Sequence, residues 1–156
     1  MDEALGRIRS VADFQFGKGV GAKLFPETVE ISYSKATGRI RYVILDGQRL
    51  ATLRPTDGLL SLSISAARTV VKQARFAQCF VIVRKDVSEF VIKGGDVFAA
   101  HVVRVDDAIR SKDEVIVLDD EDRVLAVGRA LLSSKEMMAF RVGVAVKVRH
   151  GSAEES

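Results

Sequence analysis

Lys93-Gly94-Gly95 places a lysine side chain next to two residues that have no Cβ. Paired glycines allow positive φ and leave amide N–H groups unshielded, so a phosphate or another stretch of backbone can come close. A tight turn after a short helix would use the same residues. These residues alone therefore leave two interpretations open, an anion-binding turn and a purely structural one.

Residue types that support catalysis are sparse. The chain has two histidines, His101 and His150, and one cysteine, Cys79, with apolar and aromatic neighbours. We expect Cys79 to be a core side chain, because a reactive thiol needs a basic or histidine neighbour. The acidic run 119–122 lacks the glycine and the ligand spacing of a calcium loop, which favours a charged turn. We therefore expect no enzymatic activity, no cofactor and no metal.

Length and composition are those of one or two small soluble domains. The chain has 156 residues, of which 47% are hydrophobic, and its single cysteine excludes an internal disulfide framework. It lacks a signal-peptide pattern and an apolar run long enough to span a membrane, so we expect a cytoplasmic protein without membrane association. The net charge of +3 is uneven, with 12 basic and 7 acidic side chains in residues 1–75 against 12 and 14 afterwards.

The first half predicts a helix, four strands and a second helix. Apolar residues three and four positions apart predict a helix over residues 1–24 that bends or frays at Gly17, Gly19 and Gly21. Alternation then predicts an antiparallel meander, and Ser65 could cap a helix that runs to about residue 78. The meander strands are residues 28–34, 39–44, 48–53 and 60–65. We expect both helices to cover one face of the sheet. On the opposite face we expect Lys35, Arg39, Arg41 and Arg49.

The second half predicts five short strands and two short helices, a composition suited to a small closed β structure. Capping-box spacing marks both helix starts, at Asp86 with Glu89 and at Ser133 with Glu136. Gly128 indicates a bulge or a close approach within its strand. In the last strand Lys147 and Arg149 should face away from three valines. We expect a disordered tail over residues 151–156.

The order of these elements resembles a PUA domain, in particular the one at the C-terminus of archaeosine tRNA-guanine transglycosylases and the related ends of archaeosine synthases. The matching residues are Lys93-Gly94-Gly95, Val127-Gly128-Arg129-Ala130, Ser133 to Met137 and Gly143 to Arg149. The first half is similar to the small domain that precedes PUA in those transglycosylases. Its matching stretches are residues 12–17, 34–41 and 53–58.

The resemblance implies an α+β chain in which a helix-covered antiparallel sheet precedes a PUA pseudo-barrel. The expected domains are residues 1–77 and 78–150. In the PUA family the RNA-facing surface joins the first helix and its glycine turn to the last strand. Transferred to this sequence, that surface consists of Lys93, Gly94, Gly95, Phe98, Arg129, Lys147 and Arg149. Phe98 could stack on a base, although filling the core is its more typical role.

The resemblance also sets the expected function. It implies a non-catalytic protein that binds tRNA or other structured RNA, with the acceptor-stem region of tRNA as the target. A secondary RNA contact could lie at Lys35, Arg39 and Arg41. The alternative is a subunit that docks on a separately encoded transglycosylase or archaeosine synthase. His101 departs from the family pattern, because Ala100-His101 stands where many PUA domains have a second glycine turn.

Overall fold

The computed structural model describes residues 3–154. The chain divides into two compact units, one ending at Ala77 and the other beginning at Gln78. The sequence places the domain boundary between the same two residues. Within residues 3–154, none of the helices has both the length and the apolar character needed to cross a membrane.

Two helices open the first unit, where the sequence predicts one bent helix. Helix α1 spans Glu3–Phe16 and α2 spans Val20–Leu24. The break lies at Gly17 and Gly19, whose φ values of 128° and 93° only glycine adopts readily. The Asp13 carboxylate then accepts the Gly21 N–H at 2.7 Å and fixes the angle between the helices. The first two residues of the predicted helix, Met1 and Asp2, lie outside the described residues.

The predicted meander is confirmed. Strands β1 (Glu30–Tyr33), β2 (Ile40–Leu45), β3 (Gln48–Leu53) and β4 (Leu60–Leu62) form an antiparallel sheet in that order. Helix α3 (Ile64–Gln73) packs against β3, and α1 packs against β4. The prediction of Ser65 as helix cap is wrong, because β4 ends three residues earlier than expected. Ser63 takes that place and accepts the Ala66 N–H at 3.1 Å.

The alternation along β2 differs from the predicted one. The register with β1 shifts between Ser32 and Tyr33, and such an irregularity changes which residues face the core. Val43 is therefore fully buried, whereas the sequence placed it on the same face as the arginines. Tyr42 is partly exposed instead, and the Arg49 guanidinium lies 3.8 Å from its ring centroid. The side chains of Lys35, Arg39 and Arg41 are exposed.

Up to Glu154, where the described part of the second unit ends, there are six strands rather than the predicted five. They are β5 (Phe80–Val83), β6 (Val97–Phe98), β7 (Val102–Val105), β8 (Glu114–Leu118), β9 (Val124–Ala130) and β10 (Val144–Gly151). Their order in the sheet is β6-β10-β9-β8-β5-β7; β5 and β8 pair in parallel, and the other neighbouring strands pair antiparallel. The sheet curls into a nearly closed barrel, as expected for a PUA pseudo-barrel. Cys79 is buried, as predicted. The barrel core includes Val81, Val83, Val115, Val117, Ala145 and Val146.

One of the two predicted capping boxes forms. Ser133 and Glu136 exchange side-chain and backbone hydrogen bonds at the start of helix α5 (Ser134–Ala139). The box at Asp86 and Glu89 does not form, because a 3-10 turn runs into helix α4 (Ser88–Ile92). The Asp86 carboxylate pairs with Arg84 instead, and this hydrogen bond lowers the pKa of Asp86.

The chain end differs from the predicted disordered tail. Gly151 is the last residue of β10, and Ser152–Glu154 form a 3-10 turn. A Cβ on Gly151 would overlap the Ile92 carbonyl oxygen and the Gly94 nitrogen, so this glycine lets the strand end pack on the end of α4. Glu155 and Ser156, which also belong to the predicted tail, lie outside the described residues.

The acidic run between β8 and β9 is the predicted charged turn, and it is organised by Asp119. This buried carboxylate accepts the N–H groups of Glu121 and Arg123, both at 2.9 Å, and the Arg123 Nε at 2.8 Å. Burial raises the pKa of Asp119, but the hydrogen bonds from Arg123 and Glu121 outweigh it and lower that pKa overall.

We expect Asp119→Asn to lower the free energy of unfolding at pH 7 by about 1–2 kcal/mol, because hydrogen bonds to a charged acceptor are stronger. The folded-state pKa lies below the unfolded one, so this stabilisation is complete above about pH 4. It is lost as the pH falls through the folded-state value. Urea unfolding at pH 7 and pH 3 measures the effect. Asp120→Asn, at an exposed neighbour, is the control, and equal stability losses in the two variants would contradict the assignment.

Candidate nucleic-acid interface

Two cations lie side by side on the outer face of the barrel. Lys147 in β10 is directly opposite Arg129 in β9, which is in turn opposite Glu114 in β8. Directly opposed residues project from the same face of a sheet, with Cβ atoms about 4.5–5.5 Å apart. Lys147 and Arg129 are both exposed. The sequence analysis predicts both Lys147 and Arg129 as RNA-binding residues. The strand register shows that they are neighbours.

Arg149 has a different environment. Its guanidinium forms two hydrogen bonds, of 2.9 and 2.5 Å, with the carboxylate of Glu114. The Glu114 side chain is 0% exposed, so Arg149 neutralises a buried charge. A buried carboxylate that loses its partner is strongly destabilising. The charge of Arg149 therefore serves the fold first, which the sequence could not reveal because the partners are 35 positions apart.

Lys147 also has an acidic neighbour, but this pair lies at the surface. The Asp96 carboxylate accepts the Val148 N–H at 3.0 Å, and its second oxygen lies 3.4 Å from the Lys147 Nζ. The Lys147 side chain remains 66% exposed. Exposed pairs of this kind contribute little stability, so Lys147 can exchange Asp96 for a phosphate at little cost.

The glycine turn is a helix-ending motif. The N–H of Gly94 donates to the Val91 carbonyl at 2.9 Å, and the N–H of Gly95 donates to the Phe90 carbonyl at 3.0 Å. With a φ of 100° at Gly94, these two bonds form a Schellman motif at the end of α4. Both amides are thus already used. The sequence left open an anion-binding turn and a purely structural turn, and the structural turn accounts for these two N–H groups. A ligand could therefore come close to the backbone here, but it would find no free N–H donor at Gly94 or Gly95.

Lys93 precedes the glycines and is exposed. Its Nζ lies 3.1 Å from a carboxylate oxygen of Glu89 one helical turn earlier, and both side chains are largely solvated. The turn itself packs on neighbouring groups. A Cβ on Gly95 would overlap the Phe90 ring, and a Cβ on Gly94 would overlap the Glu154 carboxylate.

Phe98 is exposed. It does not fill the core, which is the more typical role of a phenylalanine in such a position. The side chain is 39% exposed and lies in the short edge strand β6. Its ring stacks beside that of Phe90, with centroids 6.5 Å apart, and His101 makes an edge contact at 5.9 Å. Phe90 was not among the predicted interface residues. No spacing signals this pair, because the glycine turn reverses the chain between the two phenylalanines.

The predicted secondary residues belong to the first unit. Lys35 and Arg39 flank the turn between β1 and β2, and Arg41 lies in β2 with its guanidinium 4.8 Å from the Tyr42 ring centroid.

Metal-ligating side chains are not clustered in residues 3–154. His, Cys, Asp and Glu side chains form no group of three there that could hold a metal ion.

Comparison with protein families agrees with this division of the chain. Residues 80–152 match the PUA domain. The second unit is a PUA domain. Residues 6–76 match the patch-forming domain C2 of tRNA-guanine transglycosylase. The chain therefore joins a C2 domain to a PUA domain, in the order that the sequence motifs predict.

Curated relatives of this C2–PUA chain are tRNA-guanine(15) transglycosylases of archaea. The enzyme of Methanobrevibacter smithii is 40% identical over 148 residues, which cover 94% of this chain and 22% of the relative. That of Pyrococcus furiosus is 41% identical over 154 residues, which cover 99% of this chain and 26% of the relative. The chain thus spans about a quarter of the length of these relatives.

Solved structures share the architecture of this C2–PUA chain. A hypothetical protein of Pyrococcus horikoshii has a TM-score of 0.78 at 24% identity, with 97% of this chain and 91% of that chain covered. A conserved PUA domain protein of Thermoplasma acidophilum has a TM-score of 0.72 at 22% identity, with 98% and 91% covered. The predicted α+β fold, a helix-covered sheet followed by a pseudo-barrel, is confirmed.

We expect Arg149→Ala to lower the free energy of unfolding by about 3 kcal/mol or more, because it leaves the Glu114 carboxylate buried without its cation. Lys147→Ala, which breaks only a surface pair, should cost less than about 1 kcal/mol. Urea unfolding of the two variants at pH 7 measures the difference. Similar values for both would mean that the Glu114–Arg149 pair does not carry the stability assigned to it.

Proposed function

We propose that this chain is a non-catalytic, cytoplasmic tRNA-binding protein whose PUA domain contacts the acceptor-stem region. The observation that carries the proposal is the adjacent, exposed pair Lys147 and Arg129 on the barrel surface. Two neighbouring cations on a rigid sheet match the regular spacing of phosphates, which supply most of the affinity for nucleic acids.

Other parts of the surface fit RNA. Lys93 adds a third exposed cation beside the end of α4. Phe98 and Phe90 present exposed rings, and protein aromatic side chains commonly stack on unpaired bases. In this arrangement Lys147, Arg129 and Lys93 contact phosphates, the phenylalanines contact a base, and the glycines let backbone come close. Arg149 supports this surface through its ion pair with the buried Glu114 carboxylate.

The relatives support tRNA as the nucleic acid. They are named tRNA-guanine(15) transglycosylases, and nearly the whole of this chain matches about a quarter of each. The proposed role is therefore to hold tRNA while a modifying enzyme acts on it. Lys35, Arg39 and Arg41 of the C2 domain provide the proposed secondary contact.

The test is binding of the purified chain to tRNA at 50 and 200 mM salt. We expect the affinity of the wild type to fall steeply with salt. The double variant Lys147→Ala with Arg129→Ala should bind about tenfold or more weakly, and the slope of its log affinity against log salt should be smaller by the amount that corresponds to about two phosphate contacts. Lys135→Ala with Arg141→Ala removes the same charge from exposed positions on and after α5 and is the matched control. Equal effects of the two double variants would contradict the proposed surface.

Fragments of the tRNA locate the contact. An acceptor-stem minihelix should compete with intact tRNA more effectively than an anticodon hairpin or a DNA duplex of equal length, because A-form geometry and 2′-hydroxyls distinguish RNA. Equal competition by the DNA duplex would argue against an RNA-specific site. Equal competition by the anticodon hairpin would argue against the acceptor stem.

A second candidate function is docking on a separately encoded transglycosylase or archaeosine synthase. The observation that favours it is a run of exposed apolar side chains at the end of α5, namely Met138, Phe140 and Val142, with Val142 80% exposed. Contiguous exposed apolar surface is typical of protein interfaces. Met138→Ser with Val142→Ser should abolish association with the catalytic chain, measured by calorimetry, while tRNA binding stays unchanged. Wild-type protein that shows no association would exclude this function.

A further inference from the structure

The carboxylate of Glu154 lies at the glycine turn, inside the proposed RNA surface. Its Oε1 occupies the space that a side chain on Gly94 would fill. Glu154 belongs to the 3-10 turn that follows β10, and its side chain is about half exposed. An anionic group of the protein thus covers the glycine turn, for which anion binding was one of the two interpretations that the sequence left open.

The path of the chain explains this position. Gly151 at the end of β10 packs on the Ile92 carbonyl and the Gly94 nitrogen, which directs the following turn over the end of α4. The Glu154 Oε2 lies 3.9 Å from the Nδ1 of His150 one turn earlier. This distance is long for an ion pair. A contact with His150 stabilises the carboxylate only when the imidazole is protonated.

The surroundings hold the carboxylate weakly. The amides of Gly94 and Gly95 already donate to the carbonyls of Val91 and Phe90. The end of α4 also presents the negative end of the helix dipole, which disfavours an anion. Glu154 can therefore leave the turn at little cost. An RNA phosphate at Gly94 meets the same surroundings, so its advantage comes from contacts that Glu154 does not make. Lys147 and Arg129 bind other phosphates of the same molecule, and Lys93 is an exposed cation next to Gly94.

We propose that Glu154 is an internal competitor of RNA: its carboxylate occupies the place beside Gly94 that an RNA phosphate takes, and it withdraws when RNA binds. This inference rests on the proposed RNA-binding function and adds a residue that limits affinity. RNA that reaches only one or two cations does not displace Glu154. RNA that follows the surface from Arg129 to Lys93 does, so the competitor favours the correctly shaped ligand.

The test compares wild-type protein with Glu154→Gln, which keeps the shape of the side chain and removes its charge. Fluorescence anisotropy with labelled tRNA should give about fivefold tighter binding for the variant, since one close like-charge contact is removed. Asp107→Asn removes one exposed carboxylate beside the start of α5, where the Ser134 hydroxyl donates to the Asp107 carbonyl. Helix α5 precedes β10 whereas Glu154 follows it, so this variant should change affinity less than about twofold.

The outcomes separate the two proposals. If wild type binds tRNA and Glu154→Gln binds equally or more weakly, the competitor role is overturned while the proposed function stands. If Asp107→Asn tightens binding as much as Glu154→Gln, the effect is one of net charge, which also overturns the competitor role. If neither wild type nor Glu154→Gln binds tRNA, the proposed function fails and the competitor role fails with it.

A second measurement follows Glu154 itself. In amide NMR spectra of the wild type, adding tRNA should shift the signals of Gly94 and of Ser152–Glu154 together with that of Lys147, because the turn moves as the phosphate enters. A titration that shifts Lys147 but leaves Gly94 and Glu154 unchanged would show that RNA binds without displacing the carboxylate, and it would overturn the inference.

Discussion

The close approach of β10 to Gly128 is the constraint on which the candidate interface depends. A Cβ on Gly128 would overlap the carbonyl oxygen of Lys147, so only glycine permits this distance between the two strands. The register that results sets Lys147 beside Arg129. It then shifts between Val148 and His150, and Arg149, which lies within that irregularity, reaches across β9 to Glu114. The absence of a side chain at Gly128 thus permits the strand pairing in which the exposed cation pair and the buried ion pair both form.

Burial decides what each cation of this surface can do. Lys93, Lys147 and Arg149 each have a carboxylate neighbour, respectively Glu89, Asp96 and Glu114. The first two pairs are solvated and weak, whereas the third neutralises a carboxylate that water does not reach. Residues that look equivalent as positive charges in one strand therefore have different roles. Lys147 is available to a ligand, and Arg149 is part of the fold.

The PUA domain offers two chemically distinct surfaces. The basic surface around Lys147, with the exposed rings of Phe90 and Phe98, matches the charge and the planar bases of RNA. The run at the end of α5, including Met138 and Val142, matches an apolar protein surface. A chain that holds tRNA with one surface and an enzyme with the other would connect substrate and catalyst. The two proposed functions are therefore compatible and can be tested on separate residues.

The sequence by itself determined the features that depend on neighbouring residues. Alternation located the meander, and the spacing of Ser133 and Glu136 located a helix start. Both signals reflect local geometry, in which the period of a strand or the first turn of a helix constrains residues a few positions apart. The PUA domain was indicated instead by a resemblance, that of the ordered motifs around Gly94 and Gly128 to the family.

Only the tertiary structure decided the contacts that depend on register and on distant segments. Across the irregularity between Ser32 and Tyr33, Tyr42 and Val43 of β2 exchanged their expected faces, and the partner of Arg149 lies 35 positions away. The Gly94 amide proved to cap a helix, and Phe98 proved to be exposed. A strand pattern does not encode where a bulge inserts a residue or which strand arrives alongside, because those outcomes follow from packing of the whole barrel.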